Sequence, residues 1–194
     1  MTRLVVGVSG ASGAIYAVRL LQVLHELPGI ETHLVMSGAA CRTLKLETDF
    51  SVEEVQSLAT HVHRFNDIAA PIASGSFKTA GMVVIPCSMK TLSGIASSYS
   101  ANLLLRAADV TLKDRRRLVL VPRETPLHLG HLELMVKVTQ IGAIVFPPVP
   151  AFYHRPEEIA DIVDQTVGRV LDLVGVDAPP ELASAWMGPS AGPE

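Results

Sequence analysis

Short apolar runs alternate with amphipathic stretches along most of the chain. The apolar runs predict buried β-strands at residues 3–8, 32–36, 62–65, 81–87, 117–122 and 143–146. Apolar residues at helical spacing predict helices at residues 13–27, 39–46, 52–60, 89–97, 101–113, 128–140 and 156–174. Strands that alternate with helices indicate an α/β fold. We expect a three-layer, doubly wound parallel sheet of the Rossmann or flavodoxin-like type.

The length and the end of the chain suggest one domain and a tail. With 194 residues, the chain suits a single α/β domain over residues 1–175. Residues 176–194 form a Pro-rich C-terminal tail with one large aromatic residue, Trp186. We expect this tail to be flexible or to dock on a neighbouring subunit.

The composition narrows the function classes. Hydrophobic residues make up 48% of the chain and charged residues 18%, which suggests that an oligomer hides additional apolar surface. A net charge of −3 argues against nucleic-acid binding, and the chain has no apolar run of the ~18 residues that span a membrane. The first residues already read as a core strand, and the two cysteines give no disulfide framework. We therefore expect a cytoplasmic protein.

Small and polar residues collect where the predicted strands end. In a parallel sheet these carboxyl ends lie at one edge, where such folds bind ligands. In the first turn, Gly10 and Gly13 leave no Cβ between the backbone and a ligand, and the N–H groups of the following helix suit a phosphate. The strand ends that we expect to meet are residues 9–12, 37, 88–91, 123–124 and 147–153.

The residues at the end of the second strand indicate which class of nucleotide the predicted site could bind. Dinucleotide-binding folds usually carry an acid there, which binds a ribose hydroxyl. This chain has Met36, Ser37 and Gly38 instead, and it lacks the Gly-Lys-Ser/Thr loop of nucleoside triphosphatases. A mononucleotide such as FMN therefore fits better than NAD.

Charged residues in the second half suggest an anion site. Lys113, Arg123, Glu124, Arg155 and Arg169 lie near predicted strand ends or on helices that could face them. They either bind an anion beside an acid or base, or pair with one another and across an interface.

No metal site is expected. His128 and His131, with Glu133, give too few ligands on one helix, and His61-x-His63 is expected to face solvent.

At these residues the chain resembles the UbiX-like flavin prenyltransferases, the partners of UbiD-type decarboxylases. The resemblance covers residues 7 to about 170. The matching stretches are GVSGASGAIYAVRLL, ASGSF, PCSMKTLSGIASSYSANLLLRAADVTLKDRRRLVLVPRETPLHLGHLE and GAIVFPPVPAFYHRP.

The resemblance implies a reaction and an assembly. It implies that reduced FMN accepts a prenyl group from dimethylallyl phosphate, and that the product, prenylated FMN, serves a UbiD-type decarboxylase. It also implies a homo-oligomer, commonly a dodecamer, with active sites between subunits. An FMN-dependent decarboxylase of the aromatic acid or cysteine type and a non-catalytic flavin-binding subunit are the alternatives. Neither alternative accounts for the charged set in the second half of the chain.

The resemblance also assigns residues by motif. Catalysis would involve Ser12 near flavin N5, Glu47 near the prenyl group and Glu124. The flavin would contact Gly10, Ala11, Ser12, Ser37, Ser88, Met89, Lys90, Thr91, Arg106 and Arg123. The allylic phosphate would contact Lys113, Arg123, Glu124, Tyr153 and Arg169.

One position departs from the family pattern. Some members carry an aromatic residue about six positions before Ser-Gly-Ser, where it can cover the prenyl group, and this chain has Ile68 there. Tyr99 and Trp186 are the candidates to take its place.

Overall fold

The computed structural model describes residues 1–180 and 182. Within them, strands β1 to β6 span Thr2–Val8, Ile30–Met36, His61–His63, Gly81–Cys87, Arg117–Pro122 and Ile144–Val145. Helices α1 to α7 span Ala14–Glu26, Gly38–Glu47, Val52–Ser57, Met89–Ala96, Leu103–Lys113, Leu129–Gln140 and Ile159–Val174. A short 3-10 helix, Pro71–Ala73, interrupts the long loop before β4.

All neighbouring strands in the sheet are parallel. Their order is β3-β2-β1-β4-β5-β6, which is the strand order of the Rossmann type. The order reverses between β1 and β4, and at such a point the following helices leave toward opposite faces of the sheet. The predicted α/β fold class is confirmed, and the reversal marks the crevice where ligands bind.

The strands are buried because helices cover both faces of the sheet. Every residue of β4 is buried, and its side chains alternate between two apolar cores. Val83 and Ile85 join the core beneath α1 and α7. Met82 and Val84 join the core beneath α4 and α5. This arrangement gives the three layers expected from the sequence.

Helices α5 and α7 begin two and three residues later than the apolar pattern predicts, because side-chain caps set their first residues. The side chain of Asn102 accepts a hydrogen bond from the Leu105 N–H at 3.1 Å, so α5 begins after it. Glu158 precedes α7, where the Asp161 carboxylate accepts hydrogen bonds from the Glu157 and Glu158 N–H groups at 2.7 and 3.0 Å.

Part of the predicted tail belongs to the packed domain. Val176 and Leu182 are buried against the core beneath α1 and α7. Trp186 lies outside the described residues. In the part of the chain that the structure describes, no helix combines the length and apolarity needed to cross a membrane.

Candidate active site

A buried serine joins the carboxyl ends of β1 and β4. The Ser9 hydroxyl donates to the Pro86 carbonyl at 3.0 Å and accepts a hydrogen bond from the Ser88 N–H at 2.7 Å. Ser9 is 2% exposed, so these partners satisfy a hydroxyl that water does not reach freely. The two strand-to-helix turns are therefore held side by side at the point where the strand order reverses.

A cavity of about 660 Å³ opens at this edge of the sheet. Ser37, Ser88 and Asn102 line it, and each of these residues caps the N-terminus of a helix: α2, α4 and α5. Helix N-termini carry partial positive charge and free N–H groups, which favour anions such as phosphate. Three of them thus converge on one cavity.

The side chains around the cavity add charge and aromatic surface. Arg42 and Lys90 supply two cations, and no acidic residue is among its lining residues in the described chain. Phe65 and Tyr99 line the same space. The volume lies within the usual range for small-molecule sites. Cations with aromatic walls suit a ligand that has both a phosphate and a planar ring, as a flavin mononucleotide does.

Half of the predicted flavin contacts line this cavity: Gly10, Ser37, Ser88, Lys90 and Thr91. Ala11 and Ser12 directly follow Gly10, and the Ala11 N–H donates to the Ser9 carbonyl at 3.0 Å in a tight turn. Met89 packs instead against the core beneath α4 and α5.

Among the polar and aromatic residues that line the cavity, sequence reasoning missed Arg42, Phe65 and Asn102. An asparagine before a helical pattern is a known sequence signal for a helix cap, so Asn102 could have been predicted. Arg42 and Phe65 had no such signal. Tyr99, considered in the sequence as a substitute aromatic residue, does reach the cavity, whereas Ile68 is 64% exposed.

Gly10 permits a close approach of the first turn to α2. A Cβ on Gly10 would overlap the Cβ of Ala39. Any larger residue would therefore push apart β1 and α2, which form two walls of the cavity. Gly38 lines the same cavity, but a Cβ there would meet only Arg42 Nη1, at 4.0 Å.

The N-terminus of α1 holds a carboxylate. Glu47 Oε2 accepts hydrogen bonds from the Gly13 N–H at 2.8 Å and the Ala14 N–H at 3.0 Å. The glycine-rich sequence of this turn predicted a phosphate site, but two of its N–H groups already donate hydrogen bonds to Glu47. Phosphate binding is therefore better supported by the three helices that face the cavity.

Glu47 is an ionised acid in contact with Ser12 and close to Arg123. Burial pushes the pKa of Glu47 upward, but it is outweighed by hydrogen bonds from the Ala14 N–H, the Ser12 side chain and the Gly13 N–H. The positive charge of Arg123 adds to these, and the resulting pKa lies below the ordinary value. At neutral pH the carboxylate is therefore ionised, and its three hydrogen bonds make it a weaker base than an ordinary glutamate.

Arg123 also acts on Tyr16, a residue of α1. Burial raises the pKa of the Tyr16 hydroxyl, while a hydrogen bond with Thr166 and the charge of Arg123 oppose the rise. Arg123 thus lies near both Glu47 and Tyr16. The structure brings Ser12, Glu47 and Arg123 close together.

Other predicted substrate contacts are placed elsewhere in the chain. Lys113 ends α5 and pairs with Asp114 at 2.7 Å. Arg117 begins β5 and lies beside Gly81, the first residue of β4. Lys113 is therefore near the amino edge of the sheet, roughly 20 Å from the cavity edge at 3.3 Å per strand residue. One chain alone does not bring Lys113 to the cavity.

Arg106 and Arg169 also have partners outside the cavity. Arg106 Nε donates to the Ala73 carbonyl at 3.1 Å, and Nη1 donates to Asp109 at 2.8 Å. Arg169 pairs with Asp172 at 2.8 Å, about 15 Å along α7 from its start.

Glu124 and Tyr153 complete the predicted set. The Glu124 carboxylate accepts a hydrogen bond from the Thr125 N–H at 3.0 Å, next to Arg123 in the chain. The Tyr153 hydroxyl accepts one from the Gln165 side chain of α7 at 2.8 Å.

The chain matches known proteins over nearly all of its length. The family model described as "Flavoprotein" matches residues 1–171. The flavin prenyltransferase UbiX of Escherichia coli K12 is 63% identical over 97% of this chain and 100% of the relative. The chain belongs to the UbiX family of flavin prenyltransferases.

Solved structures of UbiX-like proteins have the same fold. A dodecameric FMN-dependent UbiX-like decarboxylase from Escherichia coli O157:H7 is 52% identical, with a TM-score of 0.93 over 96% of this chain and all of that chain. AnUbiX (PadA1), solved with FMN and dimethylallyl pyrophosphate, is 51% identical, with a TM-score of 0.92 over 96% of this chain and 98% of that chain.

The close approach at Gly10 predicts a specific loss of flavin binding. Gly10→Ala forces β1 and α2 apart at a strain cost of about 1–3 kcal/mol, so we expect FMN to bind about tenfold more weakly or worse. Gly38→Ala is the matched control, since its Cβ enters open space beside the same cavity. Quenching of flavin fluorescence on titration measures both affinities. Equal affinities for the two variants would contradict this role of Gly10.

Proposed function

We propose that this protein transfers a dimethylallyl group from dimethylallyl phosphate to N5 and C6 of reduced FMN and so makes prenylated FMN. The observation that carries the proposal is a cavity at three helix N-termini with no acid among its described lining residues. Gly10 in its wall is two residues from Ser12, which lies with Glu47 and Arg123. The 63% identity to a flavin prenyltransferase supports it. So does the 51% identity to AnUbiX, which binds FMN and dimethylallyl pyrophosphate.

In this proposal the cavity binds the flavin. The capped ends of α2, α4 and α5 receive the phosphate and ribityl oxygens, with the hydroxyls of Ser37, Ser88 and Thr91 as partners. Phe65 and Tyr99 flank the ring system. Gly10, Ala11 and Ser12 bring the first turn against the reacting edge of the flavin, and Lys90 adds a positive charge.

The transfer step requires an anion site and a dry pocket. The N5–C1 bond forms while the bond from C1 to the phosphate oxygen breaks, and phosphate leaves as an anion. Arg123 stabilises that developing charge from within the same chain. Lys113, Glu124, Tyr153 and Arg169 are proposed to complete the phosphate site. N5 releases its proton as it is alkylated, and Glu124 or the departing phosphate passes a proton to C2 of the retained double bond, which leaves a cation at C3. An apolar surrounding then lets C6, rather than water, attack that cation.

Lys113 and Arg169 imply that the site is completed by a second copy. Neither residue lies at the carboxyl edge of its own chain, so a neighbouring chain must supply them. Large apolar side chains on α6 are exposed and available for such a contact: Leu129 is 69% exposed and Val136 is 56% exposed. We propose a homo-oligomer with active sites between subunits. A dodecamer like that of the Escherichia coli O157:H7 relative is the model for it.

Glu47 is proposed to accept a proton during ring closure. A bond from C6 to C3 of the prenyl group closes the new ring, and the ionised Glu47 carboxylate at the N-terminus of α1 accepts the proton that C6 then loses. Glu124 and the departing phosphate are the other candidate proton carriers. The product is proposed to serve a UbiD-type decarboxylase.

Anaerobic incubation with reduced FMN and dimethylallyl phosphate tests the function. We expect mass spectrometry to find a flavin that is heavier by one prenyl unit. We also expect this product to activate an apo UbiD-type decarboxylase. If the flavin stays unchanged with both the monophosphate and the diphosphate donor, the proposed function is wrong.

Glu47→Gln tests the proton role. The amide oxygen can still accept hydrogen bonds from Gly13 and Ala14, so the fold should persist while the base is lost. We expect the N5 adduct to accumulate and ring closure to slow by about 10²–10⁴-fold. Rapid-quench mass spectrometry measures both. Asp49→Asn, an exposed acid two residues along, is the control. Normal product at a normal rate in Glu47→Gln would rule out this assignment.

A further inference from the structure

Three imidazole rings and a carboxylate meet where the edge strand β3 pairs with β2. The register places His33 beside His61 and Val35 beside His63. Glu31 Oε1 lies 3.3 Å from His33 Nε2 and 3.0 Å from His61 Nε2. The ligand atoms of Glu31, His33 and His61 all lie within 4.8 Å of one another. The active-site cavity does not include these residues.

The His33 ring is buried and only half satisfied. Its Nδ1 lies 2.9 Å from His63 Nε2, within hydrogen-bonding distance. Its Nε2 is buried and makes no well-directed hydrogen bond, although it lies 3.3 Å from Glu31 Oε1. When Nδ1 carries the proton toward His63, an unshared electron pair on Nε2 points at a negatively charged oxygen. A cation between the two groups removes that conflict.

The carboxylate is already oriented for one-atom coordination. Arg3 Nε donates to Glu31 Oε2 at 2.9 Å, which leaves Oε1 facing the two rings. The Arg3 guanidinium in turn lies 4.7 Å from the centre of the Phe77 ring, and the edge of Phe77 packs against His33. The ligand atoms therefore lie on side chains whose positions are set by packing and hydrogen bonds.

We propose that Glu31 Oε1, His33 Nε2 and His61 Nε2 bind a Zn²⁺ ion, with water as the fourth ligand. Imidazole nitrogen and carboxylate oxygen are ordinary zinc ligands, at bond lengths of about 2.0–2.2 Å. In a tetrahedron these bonds place neighbouring ligand atoms about 3.3 Å apart. The two separations from Glu31 Oε1, 3.3 and 3.0 Å, agree with that spacing, and the two histidine nitrogens lie within 4.8 Å of each other.

His63 is a positioning residue for this site. A zinc-bound histidine normally donates its second ring N–H to a nearby acceptor, which fixes the ring and strengthens it as a ligand. His63 Nε2 is in place to accept that hydrogen bond from His33 Nδ1.

The ion would fasten the edge of the sheet. Strand β3 has only three residues, His61–His63, and the long loop that begins after it carries Phe65 into the cavity wall. Zinc would tie β3 to β2 through side chains as well as through the backbone. It would act on the stability of this edge and not on the transfer reaction.

Metal titration of the full-length, untagged and chelator-treated protein tests the site. We expect one Zn²⁺ per chain by calorimetry, a higher unfolding temperature, and the visible absorption of tetrahedral Co²⁺ when cobalt replaces zinc. His61→Ala should abolish the cobalt spectrum and the thermal shift. His63→Ala should weaken metal binding by roughly 10–100-fold. His25→Ala, which changes an exposed histidine outside the cluster, should bind as the unaltered chain does.

Two results would overturn the proposal. One is the absence of stoichiometric Zn²⁺ or Co²⁺ binding by the unaltered protein. The other is a cobalt spectrum that persists in His61→Ala, because the metal would then be bound by other residues. Flavin prenylation can be measured in the same samples, so failure of the metal site is separable from failure of the proposed function.

Discussion

The hydrogen bonds of the Ser9 hydroxyl fix the geometry on which the site depends. By bonding to both Pro86 and Ser88, Ser9 holds the ends of β1 and β4 together where their helices part to opposite faces. A buried hydroxyl without partners would cost about 1–3 kcal/mol, so the fold favours this single arrangement. The crevice, the capped ends of α2 and α4 and the close contact at Gly10 all follow from it.

Positive helix N-termini and the negative Glu47 carboxylate lie at the same edge of the sheet but in different places. Helices α2, α4 and α5 direct their positive ends into a cavity without acids among its described lining residues, whereas α1 directs its positive end to Glu47. The anion-binding surface and the ionised acid are thus neighbours that do not neutralise each other. A reaction that expels phosphate and then removes a proton needs both groups within reach of one substrate.

Much of this could be predicted from the sequence. The alternation of strands and helices set the fold class, and a parallel sheet must gather strand ends such as Ser37 and Ser88 at one edge.

The features that the sequence did not predict depend on contacts between distant segments. The carboxylate of Glu47 fills the α1 turn from 33 residues or more away in the chain. His61 is exposed, as expected, but the strand register also sets it beside His33, and His63 Nε2 lies 2.9 Å from His33 Nδ1. Lys113 was expected near a strand end or on a helix that could face one, and it lies on α5, which leads into β5 and therefore ends at the opposite edge.

The central claim is that one chain holds the flavin while another supplies Lys113 to the allylic phosphate. Co-expression of Ser12→Ala with Lys113→Ala measures this directly, provided that each variant assembles and is inactive alone. Random mixing leaves about a quarter of the shared sites with an intact Ser12 from one chain and an intact Lys113 from its neighbour. The account predicts prenyl transfer near that fraction of the unaltered activity. Mixed oligomers as inactive as the separate variants would contradict it.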